Sequence, residues 1–217
     1  MHFMPTFFDR FLELVASAMS RIRDRRSSRR RDVVFSGALA VASLAFMTSA
    51  SADQVDQDLA RRSPQIHWPG TPNPEVADVF SHNEIEIHAA CDAVWAHLVD
   101  ASRWPSWYPN SHNVKIAGGA SQLGPHTHFT WETFGVHIRS TVAEYVPGSR
   151  LGWFGNGPQV AAYHTWWLVP DGPSCHVVTE EATKGPGAVA SRQSDPAGLH
   201  DGHELWVTRL KKLSEGG

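Results

Sequence analysis

A histidine and a carboxylate on one apolar strand face can move protons, orient a ligand or satisfy each other. Residues 163–181 place such a pair within reach. The first arm of this stretch reads Tyr163-His164-Thr165-Trp166-Trp167-Leu168-Val169 and the second Cys175-His176-Val177-Val178-Thr179-Glu180-Glu181. Aromatic and β-branched residues favour strands. Pro170-Asp171-Gly172-Pro173-Ser174 supplies the turn formers between them. Strand side chains alternate faces, so His164, Trp166 and Leu168 share a face with Cys175, Val177, Thr179 and Glu181. Pairing Val169 with Ser174 sets His164 opposite Thr179 and diagonal to Glu181, at the ~7–8 Å of cross-strand diagonals. A His held by a carboxylate is a general acid or base near neutral pH. The same pair would equally orient a ligand, or be two buried polar groups satisfying each other.

Carried through the neighbouring strand-like segments, the alternation extends this face. Thr127–Thr133 contributes Phe129 and Trp131; Val136–Tyr145 contributes Ile138, Ser140 and Val142; Arg150–Phe154 contributes Leu151 and Trp153. Apolar walls with a few convergent polar groups are the makeup of small-molecule sites, although any single Trp serves as well to fill a core. Val79–His88 reads as a strand, with Glu84 and Glu86 alternating with Ile85 and Ile87. Ala90–Ala101 reads as a helix with Val94, Trp95, Leu98 and Val99 on one stripe. Asp195-Pro196 is expected to cap a closing helix, whose stripe is Leu199, Trp206, Leu210 and Leu213.

Twelve histidines follow residue 52, which raises the question of a metal. His126 and His128 with His137, or His200 with His203, are the available spacings. His137 has the wrong parity for the lining, and His200 and His203 are expected to face solvent. Zinc needs three or four converging ligands, so neither a metal site nor a cofactor is expected. The sequence contains no Gly-rich phosphate loop, nucleophile elbow, Cys-x-x-Cys or repeat.

Charge divides the chain. Residues 1–52 carry eight Arg against four acids; residues 53–217 carry eleven basic and eighteen acidic residues, a net −7. An acidic body argues against nucleic acid as partner. All nine Trp lie in that body. Arg29-Arg30-Arg31 leads into the apolar run Val33–Met47, and Ala50-Ser51-Ala52 gives a small-residue cleavage site before Asp53. That is the pattern of an export signal, here similar to a twin-arginine one. The run is shorter than the roughly 20 residues that span a bilayer, so no stable membrane span is expected after cleavage; an uncleaved signal would leave the protein membrane-associated. Residues 1–27 form an amphipathic pattern with two explanations, a membrane-surface helix or a start placed too early, with Met19 the ordinary one. Residues 53–77, with four prolines and no sustained periodicity, are expected as an extended or partly ordered linker. Residues 78–215 form the domain.

Val94-Trp95, Asp100, Arg103-Trp104-Pro105, Trp107 and Pro109 together resemble the front signature of the START/Bet v 1-like superfamily, in its polyketide cyclase/dehydrase and lipid-transport (SRPBCC) branch. Val142, Glu144, Pro147, Arg150-Leu151 and Trp153 resemble its fourth and fifth strands. Trp166-x-Leu168-x-Pro170, Val177, Glu180-Glu181 and Gly185 resemble its sixth and seventh. The resemblance spans about Val79–Leu213. Cys91 and Ser174 depart from it, standing where the family often has a small residue or Pro, and Gly. It implies an α+β helix-grip fold: a curved antiparallel seven-stranded sheet around a long C-terminal helix, with two short helices after the first strand. It also implies a cavity between sheet and helix, entered past Trp104 and Trp107. In that topology the end of the first strand lies near the start of the seventh, so Cys91 and Cys175 would be close enough for a disulfide, the alternative being two free thiols. The expected function is that of an exported protein binding a hydrophobic small molecule or lipid in an aromatic-lined cavity. The expected contacts are Trp107, Phe129, Trp131, Ser140, Trp153, His164, Trp166, Thr179 and Glu181. The rival expectation is a cyclase or dehydratase using His164 and Glu181 in the same cavity.

Overall fold

The structure, a computed structural model, describes residues 53–216. The expected export signal lies outside the described residues. Seven strands form one antiparallel sheet: β1 (Val79–Ile87), β2 (Ser111–Ile116), β3 (His128–Thr133), β4 (Val136–Val146), β5 (Arg150–Asn156), β6 (Ala161–Asp171) and β7 (Ser174–Lys184). Their spatial order is β1-β7-β6-β5-β4-β3-β2. Tight turns set the registers. Phe134 and Gly135 both have positive φ, 50° and 72°, which is the two-residue hairpin geometry matched to strand twist. Gly172, at φ 58°, closes the β6–β7 turn with Pro173, so that Asp171 pairs with Ser174. The pairing expected from sequence, Val169 with Ser174, is therefore corrected: Val169 lies opposite His176, and His164 directly opposite Glu181. A shift of two residues leaves every side chain on its original face, so the alternation expected for the hairpin stands while its cross-strand partners change.

Helix α1 (Gln54–Arg61) precedes the sheet; α2 (Cys91–Val99) and the short α3 (Trp104–Trp107) follow β1; α4 (Pro186–Ser194) and α5 (Gly198–Ser214) close the chain. This is the α+β helix grip, with α5 packed against β1, α2 and α3. The face of α5 turned inward carries His203, Trp206, Val207 and Leu210, all buried. Asp195 does not cap α5: it ends α4, donating its backbone N–H to Ser191. Proline at the first helical position does occur, but at Pro186 in α4. Cys91 and Cys175 form a disulfide across a sequence separation of 84 residues, tying the start of α2 to the start of β7.

The segment before β1 is not an extended tether. Asp53 caps α1 by accepting a bond from the Asp56 N–H, and Val55 and Asp58 are buried. Val55, Leu59 and Trp68 pack with Phe80, Ala182 and Ala188 as a second core on the far face of β1 and β7. Too few apolar residues lie in residues 53–77 to show a period, and prolines interrupt them; what orders the segment is the sheet face it covers. Arg192 of α4 fastens it, donating to Asp53 at 2.9 and 3.0 Å and to Asp56 at 2.6 Å.

Two outcomes are expected. Replacing both cysteines with serine lowers unfolding free energy by about 2–4 kcal/mol, the ordinary contribution of a long disulfide loop, as read by denaturant titration. The Arg192 hydrogen bond, before any other cause, holds the Asp53 carboxyl below its ordinary range. A depressed folded-state value stabilises above the unfolded pKa and is lost as pH falls through the folded one. Arg192→Ala should therefore speed amide exchange in α1 at pH 7, with under about 1 kcal/mol lost because the pair is part-exposed. The difference between wild type and variant should shrink as pH falls through the depressed folded-state pKa of Asp53.

Candidate functional site

One row of residues crosses the sheet: Ser81 of β1 pairs with Glu181 of β7, Glu181 with His164 of β6, His164 with Trp153 of β5, and Trp153 with Val142 of β4. α5 lies over this row. The His203 ring stacks on that of His164, centroids 4.4 Å apart and 27° from parallel, and the Trp206 ring meets His164 edge-on at 5.3 Å.

Each polar member has a defined environment. The Thr179 hydroxyl donates its one hydrogen to the Thr165 carbonyl, at 3.0 Å. It can then only accept from His164 Nε2, 2.8 Å away. With its proton on Nε2, the neutral His164 ring presents a lone pair at Nδ1. That nitrogen lies 3.1 Å from Glu181 Oε2 but out of line for a hydrogen bond, and among the described residues it has no hydrogen-bond partner. His203 Nδ1 is held by Ser81 Oγ at 2.7 Å. Its Nε2 lies 3.5 Å from the same Glu181 oxygen and likewise lacks a partner among the described residues. His164 and His203 are 1% and 0% exposed, whereas the Glu181 side chain keeps 14%; the cluster is reached past the carboxylate. Burial first, and then the neighbouring His203, hold the His164 imidazole well below its usual range, so it is neutral at pH 7. Burial, with the Glu181 charge adding to it, pushes the Tyr108 phenol above its usual range.

The aromatic residues meet one another rather than bordering a wide space. Trp104 lies 5.2–5.9 Å from the rings of Trp206, Trp131, Trp153 and Phe129. Tyr108 stacks on Trp206 at 4.2 Å. These are contact distances for aromatic pairs. Trp104, expected at an entrance, is therefore the buried centre of the cluster; Trp107 stays half-buried at its rim. Ser140 is engaged by Trp131 Nε1, which donates to its hydroxyl at 3.2 Å. By contrast, the indole N–H groups of Trp166 and Trp206 are buried without a partner among the described residues. Two open surface depressions lie elsewhere, one across β2, β3 and β4 near His128 and Arg139, the other beside Lys211 and Glu215.

Of the expected contact residues, Phe129, Trp131, Ser140, Trp153, His164, Trp166 and Thr179 are buried on the inner face, and Glu181 is partly so. His203 was expected in solvent and is wholly buried. The signal was present: His203 lies three residues before Trp206 and seven before Leu210, on the same helical stripe. His200 is only part-exposed and donates to the buried Asp58 at 3.0 Å. Ser81 and Tyr108 lacked any signal, because neither residue type distinguishes a site residue from a core one.

A seven-stranded curved sheet closed on a C-terminal helix, with a polar cluster between them, defines a helix-grip protein of the START/Bet v 1-like superfamily. The chain belongs to the polyketide cyclase / dehydrase and lipid transport family, whose model matches residues 81–214. No curated protein matches the chain. Among solved structures it is similar to a hypothetical protein of Helicobacter pylori, with TM-score 0.63, 29% identity, and coverage of 70% of this chain and 98% of that one. A Thermus thermophilus protein gives TM-score 0.53 at 16% identity, covering 62% and 96%. Truncated norcoclaurine synthase of Thalictrum flavum gives 0.50 at 18%, covering 64% and 94%. The last two likenesses concern the fold alone.

Trp206 touches both the aromatic cluster and His164. Trp206→Ala should cost about 3–5 kcal/mol of stability, seen as a lower denaturant midpoint, and should change the near-ultraviolet dichroism of the folded protein.

Proposed function

We propose that this protein binds a hydrophobic small molecule or lipid carrying at least one oxygen atom, at the inner end of the aromatic cluster. One observation carries this. Four buried polar atoms on adjoining rings lack partners among the described residues: His164 Nδ1, His203 Nε2, Trp166 Nε1 and Trp206 Nε1. The rings of His164, Trp166 and Trp206 lie 5.2–5.3 Å from one another. A buried polar atom without a partner is costly, and two indole donors are suited to an oxygen acceptor. Family membership supports the same reading. Because the rings are in contact, entry requires them to part, which places binding in the class of population shift toward an opened form. Trp107 at the rim and the part-exposed Glu181 mark the side from which a molecule would come. The disulfide suits an oxidising compartment, and Asp53, which cleavage after Ala52 would leave first, already caps α1; both support an exported protein. Among the described residues, no helix is long and apolar enough to cross a membrane.

A second reading is favoured by one specific contact, His164 facing Glu181 at 3.1 Å. In a cyclase or dehydratase, the neutral imidazole would act as the base and Glu181 would steer it. Two measurements separate the readings. Native mass spectrometry of the purified protein, with extraction of bound material, should find a co-purifying apolar compound, and an apolar dye should be displaced by it. A clean apo mass with no dye uptake would sink the binding proposal. Glu181→Gln, which leaves the four unpartnered ring nitrogens in place, should keep most of the dye affinity if the protein is a carrier. Loss of turnover with affinity retained would instead establish the enzyme.

A further inference from the structure

Three potential metal ligands face one another in the His164–Glu181–His203 cluster, two imidazole nitrogens and a carboxylate oxygen. The Nε2 proton of His164 goes to Thr179, and Nδ1 of His203 is taken by Ser81. That leaves His164 Nδ1 and His203 Nε2 turned toward one carboxylate oxygen, at 3.1 and 3.5 Å. Neither contact is in line for a hydrogen bond, and among the described residues neither nitrogen has another partner. Two unpartnered imidazole nitrogens beside one carboxylate oxygen are an arrangement that a bound cation would satisfy.

We propose that His164 Nδ1, His203 Nε2 and a Glu181 carboxylate oxygen form a binding site for one divalent first-row transition ion, zinc or a close chemical equivalent. Two imidazoles and a carboxylate are a donor set such ions take readily. The three ligand atoms lie within 4.8 Å of one another. Ligands about 2.0–2.2 Å from a tetrahedral zinc are separated by roughly 3.3 Å. The two edges running to Glu181, 3.1 and 3.5 Å, bracket that separation. The outer parts are also in place. Each ligating imidazole is held at its other nitrogen by a hydroxyl, Thr179 for His164 and Ser81 for His203, which is how ligand rings are fixed in orientation and tautomer. The ligands come from β6, β7 and α5, which are held together by the β6–β7 pairing and a shared apolar core. With three protein ligands a fourth position remains, on the side of the part-exposed Glu181, for water or for an oxygen of a bound molecule. This inference shares its site with the proposed function but does not depend on it, since ion binding needs no organic ligand.

The test uses the full-length chain, freed of metal with a chelator and titrated without any organic ligand. Zn(II) is followed by calorimetry, and Co(II) by visible absorption and tryptophan emission. The expected result is one ion per chain, with the visible bands of a low-coordinate Co(II) site. Co(II) should also quench emission, because Trp153, Trp206 and Trp166 lie 4.8–5.3 Å from the His164 ring. His203→Ala and Glu181→Gln should each weaken binding at least about 100-fold, and Ser81→Ala about 10–100-fold. The double variant His126→Ala with His128→Ala should bind as wild type does. Near-ultraviolet dichroism checks that each variant is folded. The near-isosteric Glu181→Gln and Ser81→Ala decide the matter if His203→Ala does not fold. The proposal is overturned if the wild type takes up no stoichiometric ion, if Co(II) binds without quenching, or if affinity survives Glu181→Gln and Ser81→Ala. Metal uptake without dye binding, or dye binding without metal uptake, tells the two proposals apart.

Discussion

Everything in the site depends on the two-residue turn at Gly172 and Pro173. Gly172 adopts φ 58°, a conformation that costs a residue without Cβ little, and so Asp171 meets Ser174. From that pairing the antiparallel ladder carries His164 directly across from Glu181. β7 is paired on its other side with β1, so the same register sets Ser81 beside Glu181. Three strands thus deliver a hydroxyl, a carboxylate and an imidazole in one row. A slip of a single residue would turn Glu181 to the opposite face, and neither the row nor the cluster over it would exist.

The helix supplies the other half. Trp206 packs against Trp104, Trp131, Trp153, Trp166 and Tyr108, which fixes the rotation of α5 about its axis. His203 stands one helical turn before Trp206, so the packing that seats the indole also presses the imidazole onto His164. Burying two imidazoles in this way is unfavourable on its own account. The large apolar area of the surrounding rings offsets that, at about 25 cal/mol for each Å² removed from water. The aromatic cluster is in this sense the support of the polar site rather than the wall of a roomy cavity.

Strand pattern and family signature together made most of the fold legible in the sequence. Alternation placed Phe129, Trp131, Trp153, Trp166 and His164 on the inner face, and the structure has them there. Three things were not legible, each for a physical reason. The turn closed in two residues rather than four, because Gly172 and Pro173 alone suffice and nothing in Pro170–Ser174 distinguishes the two closures. Residues 53–77 carry no period, since their order comes from the sheet face they cover. The burial of His203 was not legible, although its place on the stripe of Trp206, Val207 and Leu210 was, because a histidine near the start of a helix is as readily solvated as buried.

Adjacent glutamates in β7 give an internal comparison. Glu180 points to the outer face and Glu181 to the inner, as neighbours in a strand must. Each meets a buried histidine. Glu180 Oε1 accepts from the Ser63 N–H at 2.5 Å and lies 2.7 Å from His82 Nδ1, in line for a hydrogen bond. That contact closes the segment before β1 over the sheet, and it has the form of a structural pair. Glu181 meets two histidines, at 3.1 and 3.5 Å, and hydrogen-bonds neither. The same residue types, one position apart in one strand, are joined on one face and held apart on the other. Glu180 is wholly buried and still leaves Oε2 without a partner among the described residues, whereas Glu181 keeps 14% exposure, so what sets the inner face apart is its two unpartnered imidazole nitrogens. Those two nitrogens, 3.1 and 3.5 Å from one carboxylate oxygen, are what the inner face offers to the ligand or ion proposed above.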